Sequence, residues 1–233
     1  MELLLVRHAE SLKNKRLAFA GSRNDSGITN CGQRQALETA NCLWQFAHIL
    51  ALTPRVVHCS DSARSRATAK IIADRFKITT RNHDSLSSMK LARVSGMTEK
   101  LAFGLIPRFM SELSLYRAGV LNAYHMSPPR GSERHKEFEM RVGRQISQIL
   151  REPGETLKII VLHRSPLTAA LINFARAGRQ YPSNFYGHIP LDLAHVSWIA
   201  WHKLGSCEIR GVNLTASDLV VAGRRFVRWI KNQ

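Results

Sequence analysis

The sequence predicts a three-layer α/β/α sandwich, with a mostly parallel central sheet and a helical or irregular cap insertion at about residues 84–130. Three observations carry that expectation. Short apolar runs alternate with stretches of helical periodicity along most of the chain. Two runs, Leu3–Val6 and Leu157–Leu162, read as buried strands and end on Arg7-His8 and on His163. Between Asp84 and Arg130 the alternation stops, and Gly96, Gly104, Pro107, Gly119, Pro128 and Pro129 punctuate the chain.

The elements follow in order. The first strand delivers Arg7 and His8 to its carboxyl end. A loop runs to Thr29, which is placed to cap a helix because Ala36, Ala40, Leu43, Trp44 and Ala47 recur at helical spacing. Arg55–His58 is a short strand after Pro54, Ser62 to about Asp74 a helix, and Lys77–Thr80 another short strand. Short helical pieces fill the irregular segment, and Glu133–Leu150 is a long helix. Pro166 falls in a first helical turn, where it is tolerated, so Leu167–Ala177 continues as helix. His195–Trp201 and Cys207–Val212 form a hairpin turning at Gly205-Ser206, and a helix with a solvated basic face ends the chain. Neither an internal repeat nor a low-complexity tract is present.

A chain of 233 residues, 44% of them hydrophobic, is long enough for one domain with a sizeable core, which excludes a disordered class. Lys and Arg number 34 against 17 Asp and Glu, a net charge of +17. That excess favours anionic partners: phosphorylated metabolites, nucleic acid or an acidic membrane surface. A solvated basic surface with no special partner is the alternative. No run approaches the roughly 20 apolar residues of a membrane span. The N-terminus reads as a strand rather than a signal peptide, because Arg7-His8 cuts its apolar run short. Cys31, Cys42, Cys59 and Cys207 have neither the spacing nor the His companions of a zinc site and are expected as free thiols in a reducing cytoplasm.

In an open α/β sheet, ligands bind beyond the carboxyl ends of the strands, where Arg7, His8 and His163 fall. A neutral imidazole attacks phosphorus without first losing a proton. Guanidinium groups present planar forks of donors to phosphoryl oxygens. Alone, Arg7 and His8 read as a strand ending at the surface; phosphoryl chemistry is what their residue types would serve.

The motifs also resemble one family. Leu5-Val6-Arg7-His8-Ala9-Glu10-Ser11 is similar to the Leu-x-Arg-His-Gly-Glu signature of the histidine phosphatase superfamily, the phosphoglycerate mutase-like proteins. Asp25-Ser26-Gly27-Ile28-Thr29-Asn30-Cys31-Gly32-Gln33-Arg34-Gln35-Ala36 resembles Asp-Ser-Pro-Leu-Thr-x-x-Gly-x-x-Gln-Ala. Ser60-Asp61-Ser62-Ala63-Arg64-Ser65-Arg66-Ala67-Thr68-Ala69 resembles Ser-x-x-x-Arg-Ala-x-x-Thr-Ala, and Val161-Leu162-His163 resembles the strand ending in the family's second His. Ile189-Pro190-Leu191-Asp192 and the later hairpin, with Asn213 near its end, look like the family's closing strands. The resemblance implies His8 as nucleophile, Arg7, Arg64 and His163 around the phosphate, and Asn14 as a phosphate contact. Arg66 is then a solvated or structural neighbour.

Two departures matter. The family's acid lies in Leu-x-Glu-x-x-x-Gly-x-x-x-Gly; Leu86-Ser87-Ser88-Met89-Lys90-Leu91-Ala92-Arg93-Val94-Ser95-Gly96 keeps the spacing but puts Ser88 at the Glu and Ala92 at the first Gly. Loss of general acid–base help typically lowers rates about 10²–10⁴-fold. Three explanations stay open: another acid (Glu99, Asp84 or His83) reaches the site, the substrate has a leaving group stable without a proton, or the pocket serves binding or other chemistry. The second departure is Arg164, which follows His163 where the family has Gly. It points to substrate with more negative charge than one phosphate, unless it turns to solvent. Ala20 and Met89-Lys90-Leu91 both depart from the mutase branch's pattern, which argues against mutase activity.

Lys90, Arg93, Lys100, Arg108, Arg117 and Arg130 in the cap favour a polyanionic or carboxylated phospho-substrate if the segment roofs the pocket. Phe103, Phe109, Tyr116 and Tyr124 are candidates to stack a ring. The expected activity is hydrolysis of a phosphorylated small molecule through phosphohistidine, with no cofactor and no metal, since cations already supply the charge. The alternatives are a catalytically reduced or repurposed relative that binds such a ligand, and a nucleic-acid-binding protein, for which charge is the only support. Any nucleic-acid binding is expected to be weak and non-specific. The sequence leaves the oligomeric state open.

Overall fold

Leu3, Leu4, Leu5 and Val6 are fully buried in β1 (Glu2–Arg7), because helices cover both faces of its sheet. The computed structural model describes residues 1–16, 27–178, 188–202 and 206–232. Ala20, Asp25, Ser26 and Gly205 lie outside the described residues. The other strands are β2 (Val56–Ser60), β3 (Thr79–His83), β4 (Leu157–Leu162), β5 (Val196–Trp201) and β6 (Cys207–Leu214). They form a six-stranded sheet in the order β3-β2-β4-β1-β5-β6. The first four strands run parallel; β5 pairs antiparallel with β1, and β6 with β5. The expected sandwich and C-terminal hairpin are both present.

The helices are α1 (Leu12–Lys15), α2 (Asn30–Ile49), α3 (Ala63–Phe76), α4 (Glu99–Leu105), α5 (Pro107–Arg117), α6 (His135–Arg151), α7 (Arg164–Ala177) and α8 (Ala216–Lys231). Side chains alternate across β1, and this sorts them into layers. Leu3 and Leu5 pack with Val142 and Ile146 of α6 and Leu167 and Leu171 of α7. Leu4 and Val6 face Leu43 and Phe46 of α2, Ile72 of α3 and Leu219 of α8. The Arg224, Arg225 and Arg228 side of α8 is exposed, as expected for a solvated basic face. Among the described residues, no helix is long and apolar enough to cross a membrane.

Thr29 caps α2 by accepting from Gly32 N, and Ser62 caps α3 by accepting from Ser65 N. Two expectations shift. β3 begins at Thr79 rather than Lys77, because Lys77 takes a left-handed conformation (φ 58°) and closes α3. Trp44, expected in the core, is only half-buried and lies under the Arg75 guanidinium, 4.1 Å from the ring centroid. Between β3 and α6, α4, α5 and short 3₁₀ turns gather on Ala102, Phe109, Met110 and Met126. The four cysteines are free thiols.

Candidate active site

The parallel pairing of β1 with β4 sets Arg7 opposite Leu162, so the residues that follow, His8 and His163, leave the sheet side by side. Their ring centroids lie 5.0 Å apart. Arg64 arrives from the first turn of α3, after β2, the strand on the other side of β4. His163 is the N-cap residue of α7, so the positive ends of two helix dipoles converge where these side chains meet. Arg7, His8, Arg64 and His163 are all more than nine-tenths buried.

Two hydrogen bonds fix the chemistry of His8. Its Nδ1 lies 2.8 Å from the Ala9 carbonyl oxygen, which only accepts, so Nδ1 carries the proton. Arg64 Nε, which only donates, points at His8 Nε2 over 3.2 Å, so Nε2 holds the lone pair. Burial, then Arg64, keeps the ring neutral, its pKa far below the ordinary value. His163 is likewise held neutral by burial and by His8, Arg64, Arg7 and Lys13. Its Nε2 hydrogen-bonds Ser60 Oγ at 2.7 Å, and its buried Nδ1 has no hydrogen-bond partner among the described residues. Arg7 is braced by donating from Nη1 to the Leu191 carbonyl. Burial, then Arg164, brings Arg7 down to about 10, which still leaves it charged at neutral pH. Thr68 Oγ1 ties two of the motifs together, accepting from Ala9 N at 3.1 Å and donating to Arg64 O at 2.9 Å.

These groups form the floor of a cavity of about 510 Å³. Asn14, Ser88, Glu99 and Arg164 also line it. Asn14 Oδ1 accepts from Ser11 N and Oγ, which leaves the NH₂ as its donor end. Arg164 is solvent-exposed where it meets the cavity, with its pKa lowered by partial burial and by Arg117. Ser88 sits on the wall between this cavity and a smaller cleft lined by Asp61 and Asp84. Its neighbours are pinned: Arg141 donates to the Ser85 and Ser87 carbonyls at 2.8 and 3.3 Å, and Glu133 accepts from Lys90 N at 3.1 Å.

The alternative acids are not equivalent. Glu99 reaches the cavity but takes a two-pronged ion pair from Arg117 at 3.0 and 2.6 Å, which holds its carboxyl below the usual range. Asp84 lines the smaller cleft, which shares Arg64, Ser88 and His163 with the main cavity. His83 hydrogen-bonds His58 through Nε2, 3.0 Å from His58 Nδ1, and does not line the cavity.

Sequence reasoning missed other lining residues. Lys13 is buried at the floor, beside the expected Asn14. Asp192 lines the cavity and is held by Asn213, whose Nδ2 donates to Asp192 Oδ2 at 2.9 Å and whose Oδ1 accepts from Asp192 N at 2.7 Å. His135 and His188 also face in. Lys13 stands one residue before Asn14, and that adjacency was the available signal; the two histidines carried none. Among the described residues, no group of His, Cys, Asp or Glu is arranged to hold a metal ion.

Comparisons with known proteins bear on the family and the fold. The profile of the histidine phosphatase superfamily (branch 1) matches residues 3–215. No protein of curated function matches significantly in sequence. Among solved structures, a mycobacterial glucosyl-3-phosphoglycerate phosphatase complexed with VO3 superposes with a TM-score of 0.73 at 18% identity, covering 91% of this chain and 98% of that one. Bacillus stearothermophilus YhfR gives 0.74 at 20%, covering 91% and 96%. A phosphoserine phosphatase from Entamoeba histolytica, complexed with phosphoserine, gives 0.68 at 15%, covering 92% and 97%. Likeness at such identities establishes the fold alone.

Proposed function

The chain belongs to the histidine phosphatase superfamily, and from that premise we propose that it hydrolyses an anionic phosphorylated small molecule through a phosphohistidine at His8. One observation carries the reading. His8 Nε2 is kept unprotonated by its two hydrogen bonds and opens onto a floor formed with Arg7, Arg64 and His163.

In the first step Arg64 Nε turns from His8 to a phosphoryl oxygen, the freed Nε2 lone pair bonds to phosphorus, and the bond from phosphorus to the ester oxygen breaks. Arg7 and Arg64 donate to the equatorial oxygens, where charge spreads. Burial, then the charges around it, hold His163 neutral; a phosphoryl dianion bound among Arg7, Arg64 and Lys13 offsets the cationic part and favours a protonated ring, whose Nδ1–H is then a charged donor. Water then attacks phosphorus, the N–P bond breaks back to neutral His8, and inorganic phosphate leaves with the proton balance closed by solvent. The ester oxygen departs without a carboxylic acid at position 88, so leaving groups of low pKa are favoured. Arg164 is suited to one further negative group on the substrate, which narrows the polyanion expectation.

A second reading, ligand binding with little turnover, draws on the missing acid at Ser88 together with the ionised state of Glu99. The test is labelling with a radiolabelled aryl phosphate, quenched in alkaline denaturant where an N–P bond survives, alongside steady-state release of the phenol. Label on His8, absent in His8→Ala together with turnover, is the expected result. Turnover that survives His8→Ala overturns the mechanism. Binding without label or turnover leaves the second reading.

A further inference from the structure

The cavity has two unlike halves. The ends of β1 and β4 and the start of α3 supply its charged floor. The opposite wall comes from the segment joining β3 to α6: Met89, Leu91, Phe109, Leu113, Tyr116 and Met126. Met89, Phe109 and Met126 are buried, and the last two belong to that segment's own core. The wall is therefore built on packed side chains rather than on a mobile fringe.

The basic residues of the same segment do not oppose this. Lys90, Lys100, Arg108 and Arg130 are exposed and do not line the cavity. Arg117 does line it, but its guanidinium is occupied by both Glu99 oxygens. His188 packs edge-on against Tyr116, ring centroids 5.6 Å apart, and burial holds it neutral. His135 is also neutral, brought down to about 4 by burial. The patch formed by Met89, Leu91, Phe109, Leu113 and Met126 thus offers neither charge nor a hydrogen-bonding side chain of its own, while Ser88, Tyr116, His135, His188 and the Glu99–Arg117 pair supply the polar part of the lining. Hydroxyls of a sugar or polyol pressed against that patch lose water without gaining partners. A flat apolar ring gains burial there, together with contacts to aromatic edges and thioether sulfur.

Building on the phosphatase reading, we propose that the preferred substrate is a phosphate ester whose body is an apolar ring seated against Phe109, Leu113 and Met126. An aryl phosphate meets the condition and also has the acidic leaving oxygen that Ser88 calls for. Two independent features, the lining of the wall and the missing acid, converge on one class. Arg164, which also lines the cavity, is suited to one carboxylate on the ring.

Binding is measured without turnover, by calorimetry on the full chain with methylphosphonate, phenylphosphonate, glucose 6-phosphate and inorganic phosphate. Phenylphosphonate is expected to bind on the order of tenfold tighter than methylphosphonate. Glucose 6-phosphate is expected to bind no tighter than methylphosphonate. Leu113→Asn and Met126→Gln are each expected to lower the phenyl-to-methyl affinity ratio several-fold. A ratio near one in the wild type, tightest binding by the sugar phosphate, or a ratio unmoved in both variants overturns the proposal. If inorganic phosphate and methylphosphonate also fail to bind, the phosphatase reading of the site falls as well; if they bind while the ratio is near one, only the apolar wall is wrong.

Discussion

Ser88 occupies a defined place: Arg141 and Glu133 pin the backbone on either side, and the side chain lies on the cavity wall. A carboxylate introduced there has a fixed base and a short reach to the floor. Ser88→Glu is expected to raise kcat/KM for alkyl phosphates by about 10²-fold and to change aryl phosphates much less, because only the poor leaving group needs the proton. A graded ester series on wild type and variant measures this, and equal gains across the series would sink the idea. Glu99→Gln is expected to change kcat by less than about threefold, since a carboxylate kept ionised by Arg117 is a poor proton donor. A loss of 10²-fold or more, confined to alkyl esters, would instead name Glu99 as the acid. Arg7, His8 and His163 were legible as residues at strand ends, whereas Arg64 was legible only through the motif that the chain shares with the family. Lys13 and Asp192 were not, since a surface Lys and a loop Asp become cavity groups only through the closure of distant segments. The opposite error arose in the cap, where a basic run without helical period gives no hint that most of its cations face water.

The loop after β1 is lashed to α2 by three residues of the second motif, Thr29, Gly32 and Gln35, which explains their presence without any contact to substrate. Thr29 Oγ1 donates to Glu10 Oε1 at 2.6 Å, Glu10 N donates to Gln35 Oε1 at 2.9 Å, and Thr29 N donates to Glu10 O at 2.9 Å. A Cβ on Gly32 would lie 2.2 Å from Glu10 O, so the helix start approaches the loop more closely than any other residue allows. Gly32→Ala is therefore expected to cost about 1–3 kcal/mol of stability and to loosen the backbone just after His8. Denaturant unfolding checks the first part, and a rise in KM for aryl phosphate checks the second; a wild-type midpoint would show that the loop yields freely. Helices with strong caps and regular apolar spacing, such as α2 and α3, were readable almost to the residue. Periodicity did not reveal the start of β3, where a left-handed Lys77 outweighs strand propensity, or the half-exposed Trp44, which packs under a cation from another helix.

Across the whole molecule, histidine protonation opposes folding. Burial pushes His58 and His135 each down to about 4 and also lowers His83, while His8 and His163 lie far below their ordinary value. Glu152 works against this at His58 and His83, but burial prevails at both. Each depressed group binds protons in the unfolded chain around pH 6.5 and in the folded chain only at lower pH. Their contribution to stability is therefore complete above about pH 6.5 and is lost as pH falls toward 4. Glu99, Glu112 and Glu133, all lowered chiefly or partly by arginine or backbone donors, extend the loss below their ordinary 4.5. The net charge of +17 grows further in acid, and self-repulsion acts in the same direction. The melting temperature is thus expected to fall steadily between about pH 6.5 and 4. His58→Asn is expected to make that slope shallower, since it removes one buried titrating ring. Inorganic phosphate opposes the trend, because a dianion beside His163 favours its charged form, so the phosphate-induced rise in melting temperature is expected to be larger at pH 5.5 than at pH 7.5 when the concentration of the hydrogen phosphate dianion is held equal. Melting curves over this range, with and without phosphate, check both parts. A flat profile would show that the buried rings gain compensating partners on protonation, and a phosphate shift independent of pH would show that His163 does not take up a proton when the anion binds.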